Sequence, residues 1–355
     1  MPALAVSAEL KRRGANILVV GARRPQDQAL ATEAGFAFRG ITAGKLRRYA
    51  ALRTLLDPFK VIVGFVQSLR IIRSFRPAVV FAKGGFVSLP VVWAARLRGV
   101  PVVLHESDTV AGLANRRSAK RAARVAVGWP PELVSGLPES KMVHTGNPLR
   151  DVVTRGSRET AISQFDLDPA LPIVLVLGGS QGSVAINELV VRALPELLAE
   201  AQVVHQVGER SSQAAVAWQS ELTREQNRRY RPKGYFGSEL YDLYDAADIV
   251  VARAGAGALA EIAANGKPSI LIPLPSAAGN HQRKNAEVFG GAGASIVLEQ
   301  GSATPEELAR QVKLLLHDSQ RRTEIGRAAK SLAVPNATQK VADLVWEVGS
   351  AREKA

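Results

Sequence analysis

Short runs of aliphatic and β-branched residues recur along the 355-residue chain, separated by stretches with helical spacing, and this alternation limits the fold more than any other feature. The runs are Asn16–Val20, Ala78–Ala82, Val102–Leu104, Val125–Val127, Ile173–Leu177, Gln202–Gln206, Asp248–Ala252, Ser269–Pro273 and Ser295–Leu298. Most are apolar throughout rather than alternating. Strands of that kind are covered on both faces, as in a parallel sheet flanked by helices. Parallel neighbours need crossover helices of one hand, so the pattern predicts a doubly wound α/β architecture. The polar stretch 151–170 interrupts the series, and a second strand–helix series starts at Pro172. The linker is therefore expected near Gly146–Asp151, which divides the chain into 1–149 and 150–330. Two domains also suit the length, at roughly 100–200 residues each. Val341, Leu344, Val345 and Val348 share one helical face, so 331–355 is expected to hold a final helix.

Composition removes several chemistries. There is no cysteine, which excludes a disulfide scaffold, a zinc–thiolate site, an iron–sulfur cluster and a cysteine nucleophile. The longest apolar runs, such as Val61–Val66, fall well short of the roughly 18 residues of a spanning helix. The start, Met1–Ala5, lacks the basic region of a secretory signal, so a reducing cytoplasm is expected. The net charge of +14 is unevenly placed. Residues 1–150 carry 24 Lys+Arg against 8 Asp+Glu, whereas the rest carry 22 against 24. One strongly basic half points to a polyanionic partner, either nucleic acid or an anionic membrane. The segment 39–76 concentrates the signal, with nine basic residues against Asp57 alone, interleaved with Leu46, Leu52, Leu55, Leu56, Phe59, Ile62, Val63, Phe65 and Val66. That mixture suits an anionic lipid interface, although a core-packing helix with a solvated basic face has the same residues. No RNP motif, helix-turn-helix pattern or zinc finger is present, so nucleic acid is not expected.

Four motifs carry chemistry. Gly178-Gly179-Ser180-Gln181-Gly182-Ser183 follows a strand and opens a helix, an arrangement that lets a phosphate approach backbone N–H groups. It lacks the lysine of a nucleoside-triphosphate loop, and a tight turn built from small residues would read the same. Arg253–Glu261 is rich in small residues that let a ligand lie across a helix start, with Glu261 about two turns in. A carboxylate there can accept two ribose hydroxyls, though an alanine-rich helix with a solvated glutamate is the plainer reading. Gly279–Ala286 is dense in amide and imidazole groups, which read sugar hydroxyls well but also occur at polar helix starts. His105-Glu106-Ser107-Asp108 ends a strand and offers acid–base groups or a capped loop.

Taken in order, these stretches resemble the MurG family of bacterial cell-wall glycosyltransferases over nearly the whole chain. The likeness runs through Gly84-Gly85-Phe86-Val87-Ser88, Pro101–Glu106, Gly112-Leu113-Ala114-Asn115, Gly146–Arg150, Gly178–Gly182, Arg253–Ala256 and Asn280–Ala286. The resemblance implies a GT-B fold: two Rossmann-like domains with the donor in the cleft, mostly on the C-terminal one. It implies inverting transfer of N-acetylglucosamine from UDP-GlcNAc to the 4-hydroxyl of the muramyl sugar of lipid I, giving lipid II in peptidoglycan synthesis, with no catalytic metal or other cofactor. It further implies that residues 1–149 face the acceptor and an anionic inner-membrane surface, with the chain peripheral at the cytoplasmic face and the final helix packed back on this domain. Cell-wall synthesis or division proteins would be further partners. By position, Ser180 and Gln181 would meet the diphosphate, and Arg150 would contact the donor. Phe236 and Gly237 would meet the uracil. Ala256, Gly257, Ala258, Leu259 and Ala260 would lie under the nucleotide, Glu261 would hold the ribose, and His281 and Gln282 would read the GlcNAc hydroxyls. Asp108 stands where many members have asparagine, close to the donor.

Two departures qualify this. Gly279 stands where an acidic residue is common in the family. Members also begin with a strand and a loop of the form GGTGGHxxP just before the stretch matching Pro2, whereas this chain begins at Met1. That histidine is the family's candidate base, so the catalytic residue is unknown here, with Glu106 and Asp108 as the fallback. A truncated gene or a wrong start codon is the expectation, with donor binding kept by the C-terminal half and little transfer. The alternatives are another membrane-surface GT-B enzyme, of the diacylglycerol type, or a non-catalytic UDP-sugar-binding relic.

Overall fold

The computed structural model describes residues 2–43, 57–179 and 182–353. The chain forms two compact units, Met1–Arg150 with Val334–Ala355, and Asp151–Ala333.

In the first unit, β1 (Leu18–Ala22) pairs with β2 (Ala37–Ile41), and a second sheet runs β3 (Val80–Ala82), β4 (Val102–Glu106), β5 (Arg124–Val127), β6 (Met142–His144). All these ladders are parallel. Every residue of β4 is buried, the apolar Val102–Leu104 together with His105 and Glu106. Helices Pro2–Arg12 and Ala337–Glu353 pack on one face of this sheet, where Val6 and Leu10 meet Val103, Ala126, Val341, Leu344 and Val345. Arg13 joins these helices through a 2.6 Å ion pair with Asp343.

In the second unit, β7 (Ile173–Leu177), β8 (Gln202–Gln206), β9 (Tyr230–Lys233), β10 (Ile249–Ala252), β11 (Ser269–Leu271) and β12 (Ile296–Val297) form one parallel sheet in the order β12-β11-β10-β7-β8-β9. Chain order reverses between β7 and β10, the doubly wound signature, and the crevice beyond these strand ends is where such sheets bind ligands. Both strands are wholly buried, packed under helices Val184–Leu197 and Pro305–His317 through Val174, Val176, Ile186, Val190, Leu194, Ile249, Val251, Leu308 and Val312.

Comparing the two sheets exposes a difference. In the second unit β7 lies between β8 and β10 and joins the two halves of the sheet. In the first unit the matching halves, β1–β2 and β3–β6, are separate sheets among the described residues. Ile17, Val79 and Phe81, beside or in the facing strands, are only partly buried against the same apolar cluster.

Three strands, β2, β6 and β9, lie outside the predicted runs. All three sit at sheet edges. An edge strand needs no two-sided apolar run, and Ala37-Phe38-Arg39-Gly40-Ile41 and Tyr230-Arg231-Pro232-Lys233 carry charge, glycine or proline instead.

Candidate functional site

The second unit gathers its motifs at the C-terminal ends of β7, β10 and β11. After β7 the chain turns through Gly178 and Gly179, then Gly182, to Ser183, which caps the helix Val184–Leu197 by accepting from the Ile186 N–H at 3.3 Å. Ser180 and Gln181 lie outside the described residues. Gly182 is needed twice over: its φ is +76°, and a Cβ would strike the Val207 carbonyl. Gln206, buried at the end of β8, ties the loop down. Its amide donates to Gly179 O at 3.1 Å, and its Oε1 accepts from Phe236 N at 3.1 Å. The Phe236 N–H is thereby occupied, and its ring is buried edge-on against Phe165, with 5.6 Å between centroids.

After β10, Gly255 begins the helix Ala256–Asn265 without a side-chain cap for its first N–H groups. Open space surrounds the positions a Cβ would take at Gly255 and Gly257. Ala256 and Leu259 are buried beneath, while Ala258 and Ala260 are half-buried. Glu261 is half-buried, and the Tyr244 hydroxyl donates to its Oε2 at 3.0 Å. Burial, with the Glu261 carboxylate beside it, pushes the Tyr244 phenol well above its ordinary range, so it stays a donor.

Beyond β11 a turn at 278–280 precedes the helix His281–Gly291. Gly279 and Asn280 both take left-handed backbone, φ +67° and +58°. Glycine is therefore the residue this turn asks for at 279, where the family's acidic residue would be strained. His281 turns back, its Nδ1 2.8 Å from Ala278 O, and Gln282 Oε1 accepts from Leu274 N at 3.0 Å. Buried Asn285 donates to Ala254 O at 3.1 Å and so links this helix to the β10 turn.

The first unit holds Asp108, Glu106 and Arg150. Glu106 is buried, and four donors occupy its two oxygens: Ser107 N at 2.9 Å and Asp108 N at 3.2 Å on Oε1, Gly112 N and the Asn115 amide, each at 2.9 Å, on Oε2. A carboxylate so engaged organises its loop. Asp108 is half-buried at the same strand end, near Lys83. Burial lowers the Lys83 ammonium pKa, opposed by the charges of Asp108 and Glu106, and its Nζ donates to Ser107 Oγ. His105, wholly buried, donates from Nε2 to Gly146 O at 3.2 Å. Burial and then Lys83 hold its pKa down at about 3, so the ring is neutral. Arg150 is exposed at the end of the unit.

A second surface of this unit is apolar and basic. Helix Asp57–Phe75 exposes Phe59, Ile62, Val63 and Val66, and helix Ser88–Leu97 exposes Trp93 and Leu97. Of these, Ile62, Trp93 and Leu97 line a groove of about 640 Å³, with Val61, Phe65, Arg96 and Arg121. Leu46, Leu52, Leu55 and Leu56 fall outside the described residues. Among the described residues no helix is long and apolar enough to cross a membrane.

Gln206, Tyr244 and the Glu106 loop bonds were not singled out as functional by the motifs. Gln206 and Tyr244 lie on strands or helices far from the loops they hold, so no local pattern marks them.

The chain is similar to known proteins along most of its length. Residues 1–127 match the glycosyltransferase family 28 N-terminal domain, and 173–344 the glycosyltransferase family 28 C-terminal domain. A Lachnoclostridium phytofermentans protein, a UDP-N-acetylglucosamine–N-acetylmuramyl-(pentapeptide) pyrophosphoryl-undecaprenol N-acetylglucosamine transferase, is 36% identical over 98% of this chain and 95% of its own. A Clostridium kluyveri protein of the same name is 37% identical over 97% of this chain and 94% of its own. The crystal structure of Acinetobacter baumannii MurG superposes with a TM-score of 0.74 at 27% identity, covering 98% of this chain and 95% of that one.

Proposed function

The chain belongs to glycosyltransferase family 28, in its MurG branch with the GT-B fold, and we propose that it transfers N-acetylglucosamine from UDP-GlcNAc to the muramyl 4-hydroxyl of lipid I, making lipid II for peptidoglycan. The observation that carries the donor half of this reading is Glu261, pinned by Tyr244 below an open, small-residue helix start at the point where the second sheet reverses. Across that helix start a nucleotide lies with its ribose hydroxyls on Glu261 and its uracil against the Phe236–Gly237 backbone. The diphosphate faces the Gly178–Ser183 turn, with Ser180 and Gln181. Gln282 and His281 take the sugar hydroxyls. Ala256–Ala260 supply N–H groups and surface rather than side-chain chemistry.

The leaving UDP gains charge as the sugar departs. Backbone N–H groups and the positive ends of two helix dipoles stabilise that charge without reorganisation. Inversion needs one base for the acceptor proton. Glu106, the last residue of β4, is engaged by four loop donors.

The exposed Phe59, Ile62, Trp93 and Leu97, with Arg96 and Arg121 beside them, support a peripheral position on an anionic membrane, where a lipid-linked acceptor resides. The test is transfer by the purified protein to a panel of lipid acceptors. UDP-GlcNAc with lipid I is expected to yield a lipid heavier by one N-acetylhexosamine. Product from diacylglycerol instead would establish the rival enzyme, and donor binding without product from any acceptor would establish the non-catalytic one.

A further inference from the structure

Arg253 directly follows β10 and is 8% exposed, yet among the described residues no carboxylate pairs with it. Its two terminal nitrogens donate to uncharged oxygens on two other strand ends. One reaches Ile272 O, just past β11, at 2.9 Å. The other reaches Ser183 Oγ, at the start of the helix after β7, at 2.6 Å. One guanidinium thus fastens the three turns that converge where the sheet reverses.

The bond to Ser183 has a chemical consequence. A hydroxyl oxygen offers two acceptor positions and one donor. Ser183 Oγ accepts from Arg253 and from the Ile186 N–H, so both acceptor positions are filled. Its hydrogen is left to donate, and Ser183 is half-exposed at the glycine-rich turn. A buried guanidinium cannot shed its proton, and an ion buried without a counter-ion is unfavourable. An anion arriving beside Ser183 relieves that imbalance at short range in a poorly screened setting.

We propose that Arg253 is a positioning residue for the donor's diphosphate: it orients Ser183 Oγ as a hydrogen-bond donor and biases this crevice toward anions. The inference rests on the donor reading above and adds a residue to it. The preference for phosphate, measured as the ratio of uridine to UDP dissociation constants by calorimetry, isolates it. Losing a charge-assisted contact is expected to lower that ratio roughly 10–100-fold in Arg253→Gln while uridine binding changes little. Arg253→Lys keeps the charge and should retain most of the ratio. Should Arg253→Gln fail to fold, Ser183→Ala carries the test, with a several-fold fall expected. A ratio unchanged in Arg253→Gln, or in Ser183→Ala where that variant stands in, overturns the proposal, as does an equal loss of uridine and UDP binding. An unsubstituted protein that binds UDP no better than uridine overturns the donor reading itself, a result visible before any variant is made.

Discussion

Two glutamates near strand and helix ends have different neighbours. Glu261 lies in the second turn of a helix with an open start and has a phenol holding it in place, and Glu106 is enclosed by the loop it organises. Glu261→Ala is expected to weaken UDP and UDP-GlcNAc alike, by roughly 10–150-fold for a lost charged hydrogen bond. Gln282→Ala should weaken UDP-GlcNAc and spare UDP. Calorimetry that finds equal UDP losses in both variants contradicts these assignments. The residues that bear the proposed chemistry were legible because they lie in contiguous motifs. The residues that aim them were not: Tyr244 reaches Glu261 from 17 positions away, and Gln206 reaches Phe236 from 30. A further consequence concerns acid. His105 and His205 are wholly buried, one in each unit, and burial holds each pKa at about 3 against an ordinary 6.5. Between those values the unfolded chain binds a proton that the folded one refuses, so stability falls as pH drops from 6.5 toward 3. The slope is roughly 1.4 kcal/mol per pH unit for each histidine. His205→Gln should flatten the acid dependence of the second unit's melting. An unchanged slope would contradict the neutral assignment.

The elements divide by position in the sheet. The fully buried strands β7 and β10 announce themselves as unbroken apolar runs, because both their faces are covered. The edge strands β2, β6 and β9 do not, because one side of an edge meets solvent and tolerates charge and proline. The same logic governs the divided sheet of the first unit. β7 and β10 have neighbours on both sides, while β1 and β3 each pair on one side among the described residues. Amide exchange is therefore expected to be slowest in β7 and β10 and faster at 18–22 and 80–82, since a one-sided ladder opens locally at less cost. Equal protection of the four strands would contradict the topology.

At the scale of the molecule, the charge asymmetry was plain in composition, and the exposed apolar stripe of 59–66 was half of an open choice. Helical spacing alone cannot say which face of a helix meets a core. Its exposure in the structure, beside Trp93 and Leu97, supports the interfacial choice. Anionic vesicles are expected to bind the protein and neutral ones to bind poorly, with each Lys or Arg near the surface contributing on the order of 1 kcal/mol and salt screening it. Reversing Arg96 and Arg121 should weaken binding, and so should reversing Arg47 and Arg48, which lie outside the described residues. Salt-insensitive binding would count against this face. The central claim, a UDP-GlcNAc site built on the strand ends of the second unit, is tested most directly by amide exchange of the protein with and without UDP-GlcNAc. Protection is expected in 178–186, 235–238, 253–262 and 278–285, and UDP alone should give the first three without the last. Protection confined to other segments, or none at saturating UDP-GlcNAc, would contradict the account.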